Sequence, residues 1–293
     1  MADSTKNSLF IILLGDKMKD FFIRLITSVF LVAAVVGAFL LRELVDNNWM
    51  LLLFAFFAAI GSFETVRALK DKLTWFSKCV IAAFSLSIAP AFAFFGVSAA
   101  ITTLLTAAIL LFGEIVFNYD EITVEKTACG LFGLFYPTAL LIPLFLLNGL
   151  GEKSFIALVL TFLISPAADA SAYVVGSIVK GPKLCEKITA KKTISGAIGG
   201  LLGGVLVSVL FWAVYAKGMI FNNATAEVIT FIILGLFGAL FTELGDLIES
   251  GIKRKIGIKD MGKIFPGHGG MLDRIDGITV CAIFVYLVFA FIG

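Results

Sequence analysis

Residues 79–117 read CVIAAFSLSIAPAFAFFGVSAAITTLLTAAILLFGEIVF, and Glu114 is the only charged residue among them. An apolar run of about 20 residues is long enough to cross the hydrocarbon core of a bilayer as a helix. A turn at Gly96–Ser98 divides this stretch, which therefore predicts two membrane spans, 79–95 and 98–117. The runs are continuous, whereas the strands of a membrane-spanning barrel alternate between apolar and polar residues. The stretch therefore favours helices over strands.

The remainder of the chain has the same apolar character. Of its 293 residues, 60% are hydrophobic and 15% are charged, whereas soluble domains are about 45–50% apolar and about 25% charged. This composition excludes a soluble enzyme, a disordered chain and a disulfide-stapled secreted domain. We therefore expect an all-α integral membrane protein, a polytopic bundle of about nine transmembrane helices. The other seven predicted spans are 21–41, 49–66, 128–148, 154–179, 193–216, 225–249 and 276–292.

The positions of the basic residues predict how the chain is oriented in the membrane. With a cytoplasmic N-terminus, 20 of the 23 Lys and Arg residues fall in cytoplasmic segments, and only Arg42, Lys153 and Lys217 fall on the other side. Cytoplasmic loops of membrane proteins carry this excess of positive charge. We therefore expect a multi-pass protein of the cell (inner) membrane.

The chain is expected to form one membrane-embedded domain, because no long hydrophilic stretch could form a separate soluble one. We predict an N-terminal extension over 1–17 and the membrane domain over 18–293. Two polar loops, 180–192 and 250–275, are predicted on the cytoplasmic side.

Charged residues are concentrated between positions 243 and 276, which hold 12 of the 44 charges in the chain. Glu243, Asp246 and Glu249 follow one another at intervals of three, so a helix places them roughly on one face. Asp273 and Asp276 stand at the entry to the last span. Acidic residues at such positions in membrane helices indicate functional sites.

The spacing of these acids predicts a metal–phosphate site at the cytoplasmic surface. If the two helices meet, Asp246, Asp273 and Asp276 converge, and Mg²⁺ prefers carboxylate oxygens as ligands. The segment between them is basic and rich in glycine, so its side chains can neutralise phosphate charge and its N–H groups can approach an anion. These phosphate-binding candidates are Lys253, Arg254, Lys259, Lys263, Gly267, Gly269 and Gly270.

A structural alternative remains open for the same residues. Asp246 and Glu249 could form ion pairs with Lys253, and Asp273 could pair near Arg274. The basic residues could serve only to orient the chain in the membrane. His268, the only histidine, could donate to the backbone of its own loop.

Residues 250–276 read SGIKRKIGIKDMGKIFPGHGGMLDRID. Their pattern S-x2-K-R-x4-K-D-x-G-x2-F-P-x-H-G-G-M-x-D-R-I-D resembles the motif of the phosphatidate cytidylyltransferases, also called CDP-diacylglycerol synthases. The preceding segment, Gly245-Asp246-x-x-Glu249-Ser250, is similar to the acidic helix end of that family. The resemblance covers residues 18–293, and a chain with nine spans fits it.

A second resemblance to the family lies in the sixth predicted span and the loop after it. Asp169-Ala-Ser-Ala-Tyr173 resembles the element Asp-(Thr/Ser)-x-Ala-Tyr. Thr189–Gly196 resembles Ser-Pro-Lys-Lys-(Ser/Thr)-x-Glu-Gly, with Lys191 and Lys192 as its two lysines. Here the chain departs from the family pattern in three places: Ala190 replaces the proline, Ser195 replaces the glutamate, and Pro166 stands where a tryptophan is usual.

The resemblance implies the reaction of CTP with phosphatidate to give CDP-diacylglycerol and pyrophosphate. It implies Mg²⁺, with room for a second cation, on Asp246, Asp273 and Asp276. CTP, phosphatidate within the bilayer, membrane lipids and a second copy in a homodimer are the expected partners, and no nucleic acid is expected. The implied catalytic residues are Asp246, Asp273, Lys259 and His268, with His268 as a positioning donor. The implied substrate contacts are Ser250, Lys253, Arg254, Gly269, Gly270, Arg274, Lys191, Lys192 and Asp169.

Three other functions are alternatives to this one. A cytidylyltransferase acting on an ether-linked isoprenoid phosphatidate would use the same headgroup chemistry. A CDP-alcohol phosphotransferase is disfavoured because its DGxxAR…GxxxDxxxD pattern is absent from the sequence. A cation transporter is disfavoured because the charges lie at one membrane face and the sequence shows no internal repeat, which many transporters have.

Overall fold

The computed structural model describes residues 2–265, 267 and 269–292, with side chains from residue 22 onward except residue 24. Helices dominate this part of the chain. A short antiparallel pair of strands, β1 (Lys183–Cys185) and β2 (Thr189–Thr193), lies between two of them. The α-helices are α1 (Ala2–Leu44), α2 (Trp49–Ala68), α3 (Trp75–Phe117), α4 (Val124–Thr138), α5 (Ile142–Asn148), α6 (Ser154–Val179), α7 (Ile194–Phe211), α8 (Ala224–Ile256) and α9 (Leu272–Ile292).

The helices have the length and composition of membrane spans. Within the described residues, eight helical segments are long and apolar enough to cross a membrane. The prediction of an all-α, polytopic membrane protein is therefore confirmed. The number of crossings stays a prediction, because one of the eight segments, α3, is far longer than a single crossing needs.

Helix α3 folds back on itself at Gly96. The φ angle of Gly96 is 75° and its ψ angle is −166°, a conformation that glycine adopts readily because it lacks a Cβ. The Ser77 hydroxyl donates to Glu114 Oε2 at 2.9 Å across 37 positions of sequence, which a straight helix would separate by about 55 Å. The two halves therefore run antiparallel, and they correspond to the predicted spans 79–95 and 98–117.

The helices next to the polar loops are longer than hydropathy predicted. Helix α8 continues to Ile256 and α9 begins at Leu272, so the loop predicted over 250–275 shrinks to 257–271. Gly257 ends α8 in the left-handed conformation, with φ 85°. Hydropathy marks where the apolar residues end, whereas a helix can continue beyond the hydrocarbon.

Two other predicted segments also differ in detail. The span predicted over 128–148 is interrupted by a 3-10 turn at Ala139–Leu141, just after Pro137. The loop predicted over 180–192 contains most of the hairpin of β1 and β2. Helix α1 runs through the boundary predicted between 1–17 and 18–293, and that division stays a prediction.

Glycines allow the C-terminal helices to pack at short range. A Cβ at Gly204 of α7 would lie 2.6 Å from the carbonyl oxygen of Gly235 in α8. One at Gly245 of α8 would lie 2.6 Å from the carbonyl oxygen of Asp276 in α9. Small residues at such contacts let membrane helices approach each other closely. The close contact of α8 with α9 brings together the two helices that carry the motif acids.

Buried charges at the opposite end of the bundle have partners within the protein. Arg42 donates to Ser154, Glu43 and, at 3.3 Å, Asn148 Oδ1. Glu227 is completely buried. Its Oε2 accepts from Trp212 Nε1 and from the Gly218 N–H, both at 2.8 Å, and its Oε1 accepts from the Ile220 N–H at 2.9 Å. These hydrogen bonds connect neighbouring segments at the end of the bundle that is remote from the motif.

Candidate active site

The motif residues meet at one end of the helix bundle. The C-terminal ends of α2 and α8, the start of α9 and the end of β2 contribute to this end. Three contacts join them: Glu64 with the first residues of α9, Lys192 with α8, and Lys253 with Asp273. Residues distant in sequence are thus brought together in one polar region.

Lys192 is the centre of the first group of charges. Its Nζ lies 2.6 Å from Glu243 Oε2 and 2.6 Å from Asp246 Oδ2. Burial by itself lowers the pKa of an ammonium group, but the carboxylates of Asp246 and Glu243 outweigh it and raise the pKa of Lys192 above its usual value. Lys192 is therefore a stable cation between two carboxylates.

Two further acids lie close to this pair of contacts. Asp169 of α6 is exposed, and it interacts electrostatically with Lys192, Asp276, Asp246 and Glu243. The Oδ1 atom of Asp276 accepts from the Gly277 N–H at 2.8 Å. Lys192 is thus in contact with two carboxylates, and two further acids lie close enough to interact with them electrostatically.

Lys253 is the centre of a second group of charges, next to the first. Its Nζ lies 2.6 Å from Asp273 Oδ1 and 3.0 Å from Glu249 Oε1. The Tyr136 hydroxyl donates to Glu249 Oε2 at 3.3 Å. The structural alternative for Glu249 and Lys253 is therefore confirmed, whereas Asp246 pairs with Lys192 instead.

Asp273 also fixes the loop that precedes α9. Its Oδ2 accepts from the Gly270 N–H at 2.8 Å and from the Met261 N–H at 3.0 Å. The Gly269 N–H donates to the carbonyl of Phe265 at 3.2 Å. The N–H groups predicted to hold phosphate, at Gly269 and Gly270, thus have partners in the loop and in α9, and their phosphate contact stays a prediction.

The remaining predicted site residues lie near the same end of the bundle. The Ser250 hydroxyl donates to Asp246 Oδ1 at 3.3 Å, and Arg254 Nε donates to the carbonyl of Ile188 between the strands at 3.4 Å. Lys191, Lys259 and Arg274 are exposed. His268 lies outside the described residues, and its role as a positioning donor stays a prediction.

Glu64 is a site residue that the sequence analysis missed. It is 1% exposed, and its Oε1 and Oε2 accept from the Met271 and Leu272 N–H groups at 2.9 and 3.0 Å. An acidic residue inside an apolar span indicates function by default, so a signal for Glu64 was present. Tyr136 is a second residue of this region that the sequence did not indicate, because no spacing rule links it to Glu249 of α8.

The carboxylates of the site are chemically suitable ligands for a divalent cation. As they stand, the described residues contain no group of three His, Cys, Asp or Glu side chains arranged to bind a metal, and both Asp246 and Asp273 pair with a lysine. Carboxylate oxygens are nevertheless the donors that Mg²⁺ prefers. Among the described residues, the buried Oε1 of Glu243 has no hydrogen-bond partner, which leaves one such donor unused. Magnesium therefore stays a prediction that fits the residues present.

An apolar cavity of about 490 Å³ adjoins the charged site. Helices α4, α8 and α9 line it, and most of its walls are hydrophobic, including Phe132, Ile248 and Ile283. Tyr136, Glu249 and Asp276 also line the cavity. A polar site and an apolar cavity thus share residues within the membrane domain.

Comparison with known proteins relates this arrangement to a family. The model of the cytidylyltransferase family matches residues 22–292. The phosphatidate cytidylyltransferase of Brucella abortus biovar 1 (strain 9-941) is 34% identical over 155 residues, which are 53% of this chain and 54% of that protein. The protein of the same name from Mycobacterium bovis is 34% identical over 132 residues, 42% of this chain and 37% of that protein.

A third relative, from Staphylococcus saprophyticus, has the same name and is 37% identical over 115 residues, 39% of this chain and 42% of that protein. The chain thus spans about half, or less, of the length of these curated relatives. The family model, in contrast, covers nearly the whole chain and includes every described residue of the charged site. The chain therefore belongs to the cytidylyltransferase family.

Proposed function

We propose that this protein is a phosphatidate cytidylyltransferase, which transfers CMP from CTP to phosphatidate and releases pyrophosphate. The observation that carries the proposal is that the charged site and the apolar cavity share Glu249 and Asp276. A reaction between a water-soluble nucleotide and a membrane lipid needs this junction. The names of the relatives and the family match support the same activity.

The proposed reaction is an in-line displacement at the α-phosphorus of CTP. An oxygen of the lipid phosphate forms a bond to that phosphorus, and the bond from it to the bridging oxygen of pyrophosphate breaks. Such transfers depend mainly on positioning and on the neutralisation of charge. The phosphate monoester of the lipid is largely ionised near neutral pH, so no general base is required.

The described residues would have different roles in this reaction: neutralisation of phosphate charge, orientation of Asp246 and substrate binding. Lys192 and Lys253 each carry a positive charge within a group of carboxylates, where phosphate oxygens can compete for the ammonium. Arg254 and the exposed Lys191, Lys259 and Arg274 add positive charge around the entrance. Ser250 orients Asp246 through its hydroxyl. We assign Asp169 to the substrate-binding wall because it faces the same charges from α6.

Asp246, Asp273 and Asp276 would hold Mg²⁺, with room for a second cation. When bound, the metal would neutralise charge on the phosphate oxygens. Until then, the lysine contacts of Asp246 and Asp273 hold these side chains in place. The apolar cavity beside Asp276 suits the acyl chains of the lipid, which would enter between α4 and α9 from the bilayer.

The charge distribution supports the orientation proposed for the chain. The described site residues lie at the end of the bundle that carries most of the basic residues, and this face would be cytoplasmic, in the cell inner membrane. CTP would reach the site from the cytoplasm, and phosphatidate from the bilayer. A homodimer is part of the proposal, on the family resemblance alone.

The test is the transfer of label from [α-³²P]CTP to phosphatidate by the purified protein in detergent micelles. We expect chloroform-soluble radioactivity that requires phosphatidate, is lost on addition of EDTA and returns with excess Mg²⁺. Parallel assays with diacyl and diether phosphatidate report which lipid is used. No chloroform-soluble label with either lipid would overturn the proposed activity, and cation uptake by reconstituted vesicles would then favour a transporter.

A further inference from the structure

We infer that Glu64 is a positioning residue for the proposed reaction, because it anchors the start of α9, and with it Asp273 and Asp276, to helix α2. The inference rests on the proposed function. Glu64 lies in neither segment that resembles the family motif, and more than 200 positions separate it from the residues that it binds.

Glu64 accepts hydrogen bonds from backbone N–H groups at the start of α9, which have no acceptor within that helix. The first N–H groups of a helix have no acceptor within the helix. Each carboxylate oxygen of Glu64 accepts from one such N–H, those of Met271 and Leu272, at 2.9 and 3.0 Å. A negative charge there is also favoured by the helix dipole. Glu64 is thus a cap for α9 supplied by a different helix.

Two glycines of the motif make room for this carboxylate. A Cβ at Gly270 would lie 2.6 Å from both oxygens of Glu64, and one at Gly262 would overlap Oε1 and the carbons next to it. The backbone of the loop therefore wraps closely around the Glu64 side chain from both sides. The sequence of this loop is suited to receiving an acid from α2.

The anchor is linked directly to the charged site. Gly270, one residue before the Glu64 contacts, donates to Asp273 Oδ2 at 2.8 Å, while Asp273 Oδ1 lies 2.6 Å from Lys253. A shift of the start of α9 therefore moves Asp273 relative to Lys253. Displacements of about 1 Å in an active site can reduce the rate about 100-fold.

The test compares Glu64→Ala and Glu64→Gln with one matched change elsewhere, Glu227→Gln. Glu227 is also a buried carboxylate that accepts backbone N–H groups, but it lies at the opposite end of the bundle. We expect Glu64→Ala to lower kcat for CDP-diacylglycerol formation about 100-fold per folded molecule, with the KM for CTP changed less than threefold. Glu64→Gln, which keeps one carbonyl acceptor, should recover part of kcat. Glu227→Gln should lower thermal stability with kcat unchanged.

The outcomes separate this inference from the proposed activity. If the wild-type protein makes no CDP-diacylglycerol, the proposed function fails, whatever Glu64 does. If the wild type is active and folded Glu64→Ala keeps kcat within threefold, the inference is overturned. Should Glu64→Ala fail to fold, Glu64→Gln decides: a selective loss of kcat supports the inference, and wild-type kcat or a change in stability alone overturns it.

Discussion

Lys253 Nζ lies 2.6 Å from Asp273 Oδ1 and thereby joins the last turns of α8 to the first turn of α9. The two residues are 20 positions apart, on either side of the glycine-containing loop. This ion pair closes the loop at its base. The positions of the acids on both helices therefore depend on one charge contact as well as on the packing of the helices.

Replacement of Asp273 by Asn should reduce CDP-diacylglycerol formation at least 100-fold while the protein remains folded. The amide keeps the shape of the side chain but loses the charge that pairs with Lys253. Initial rates with saturating CTP and size-exclusion profiles in detergent check this prediction. Asp71→Asn, an exposed acid in the loop after α2, serves as the control. Near-normal turnover in Asp273→Asn would contradict its assignment to the site.

Replacement of Lys192 by Met should destabilise the protein and abolish activity, because Glu243 and Asp246 both lose their ion-pair partner. Removal of one partner from a fully buried ion pair typically costs about 3–5 kcal/mol of the free energy of unfolding, and the loss should be smaller here because the Lys192 and Asp246 side chains are 21% and 32% exposed. Thermal inactivation in detergent measures the change. Lys187→Met, at an exposed lysine of the same hairpin, should leave stability unchanged, and equal effects of the two changes would argue against a special role for Lys192.

Replacement of Gly245 by Ala should impair activity through the spacing of two helices. The added methyl would lie 2.6 Å from the carbonyl oxygen of Asp276 and 3.1 Å from Val280 Cγ2, so α8 and α9 must move apart. We expect a loss of turnover of at least tenfold and a lower melting temperature. Gly113→Ala, where the nearest atom would be 3.9 Å away, is the comparison. A fully active Gly245→Ala protein would show that the site tolerates a wider spacing.

Gly262 and Glu64 should be coupled in a double-mutant cycle. Gly262→Ala places a methyl group where the Glu64 carboxylate lies, so it should destabilise the wild-type protein strongly. In the Glu64→Ala background the same methyl has room and should cost little. Residues in contact typically show coupling energies of about 0.5–3 kcal/mol, measurable by thermal inactivation. If the effects of the two changes on stability are additive, Gly262 and Glu64 are not coupled, which would contradict the close contact between them.

Much of the fold could be predicted because the bilayer restricts the possibilities. Apolar runs of about 20 residues become helices in a membrane, and the turn at Gly96–Ser98 indicated the place where α3 folds back. The predicted end of α8 at residue 249 is too early, because the polar and charged residues from Ser250 onward, including Lys253, suggest a loop by hydropathy. The i, i+4 pairing of these two residues and the glycine at 257 were signals of a longer helix.

The contacts of the site were less predictable, because they depend on which helices are neighbours. Glu243 and Asp246 could be placed on one helix face from their spacing, but no local rule indicated Lys192 as their partner, about 50 residues away. The pairing follows from the glycines that bring α7 against α8. Glu64 was overlooked for the same reason, since its partners are backbone groups of a helix far along the chain.

The capping of α9 by Glu64 has a consequence for how the protein is assembled in the membrane. Glu64 enters the bilayer with the second helix, and its partners are synthesised about 200 residues later. Until the last helix arrives, this acid lies in an apolar span without the N–H groups that donate to it in the finished protein. A chain truncated before residue 271 would lack both of the N–H groups that donate to this carboxylate. Insertion of the last helix therefore supplies the donors to Glu64 and brings Asp273 to Lys253 in the same step.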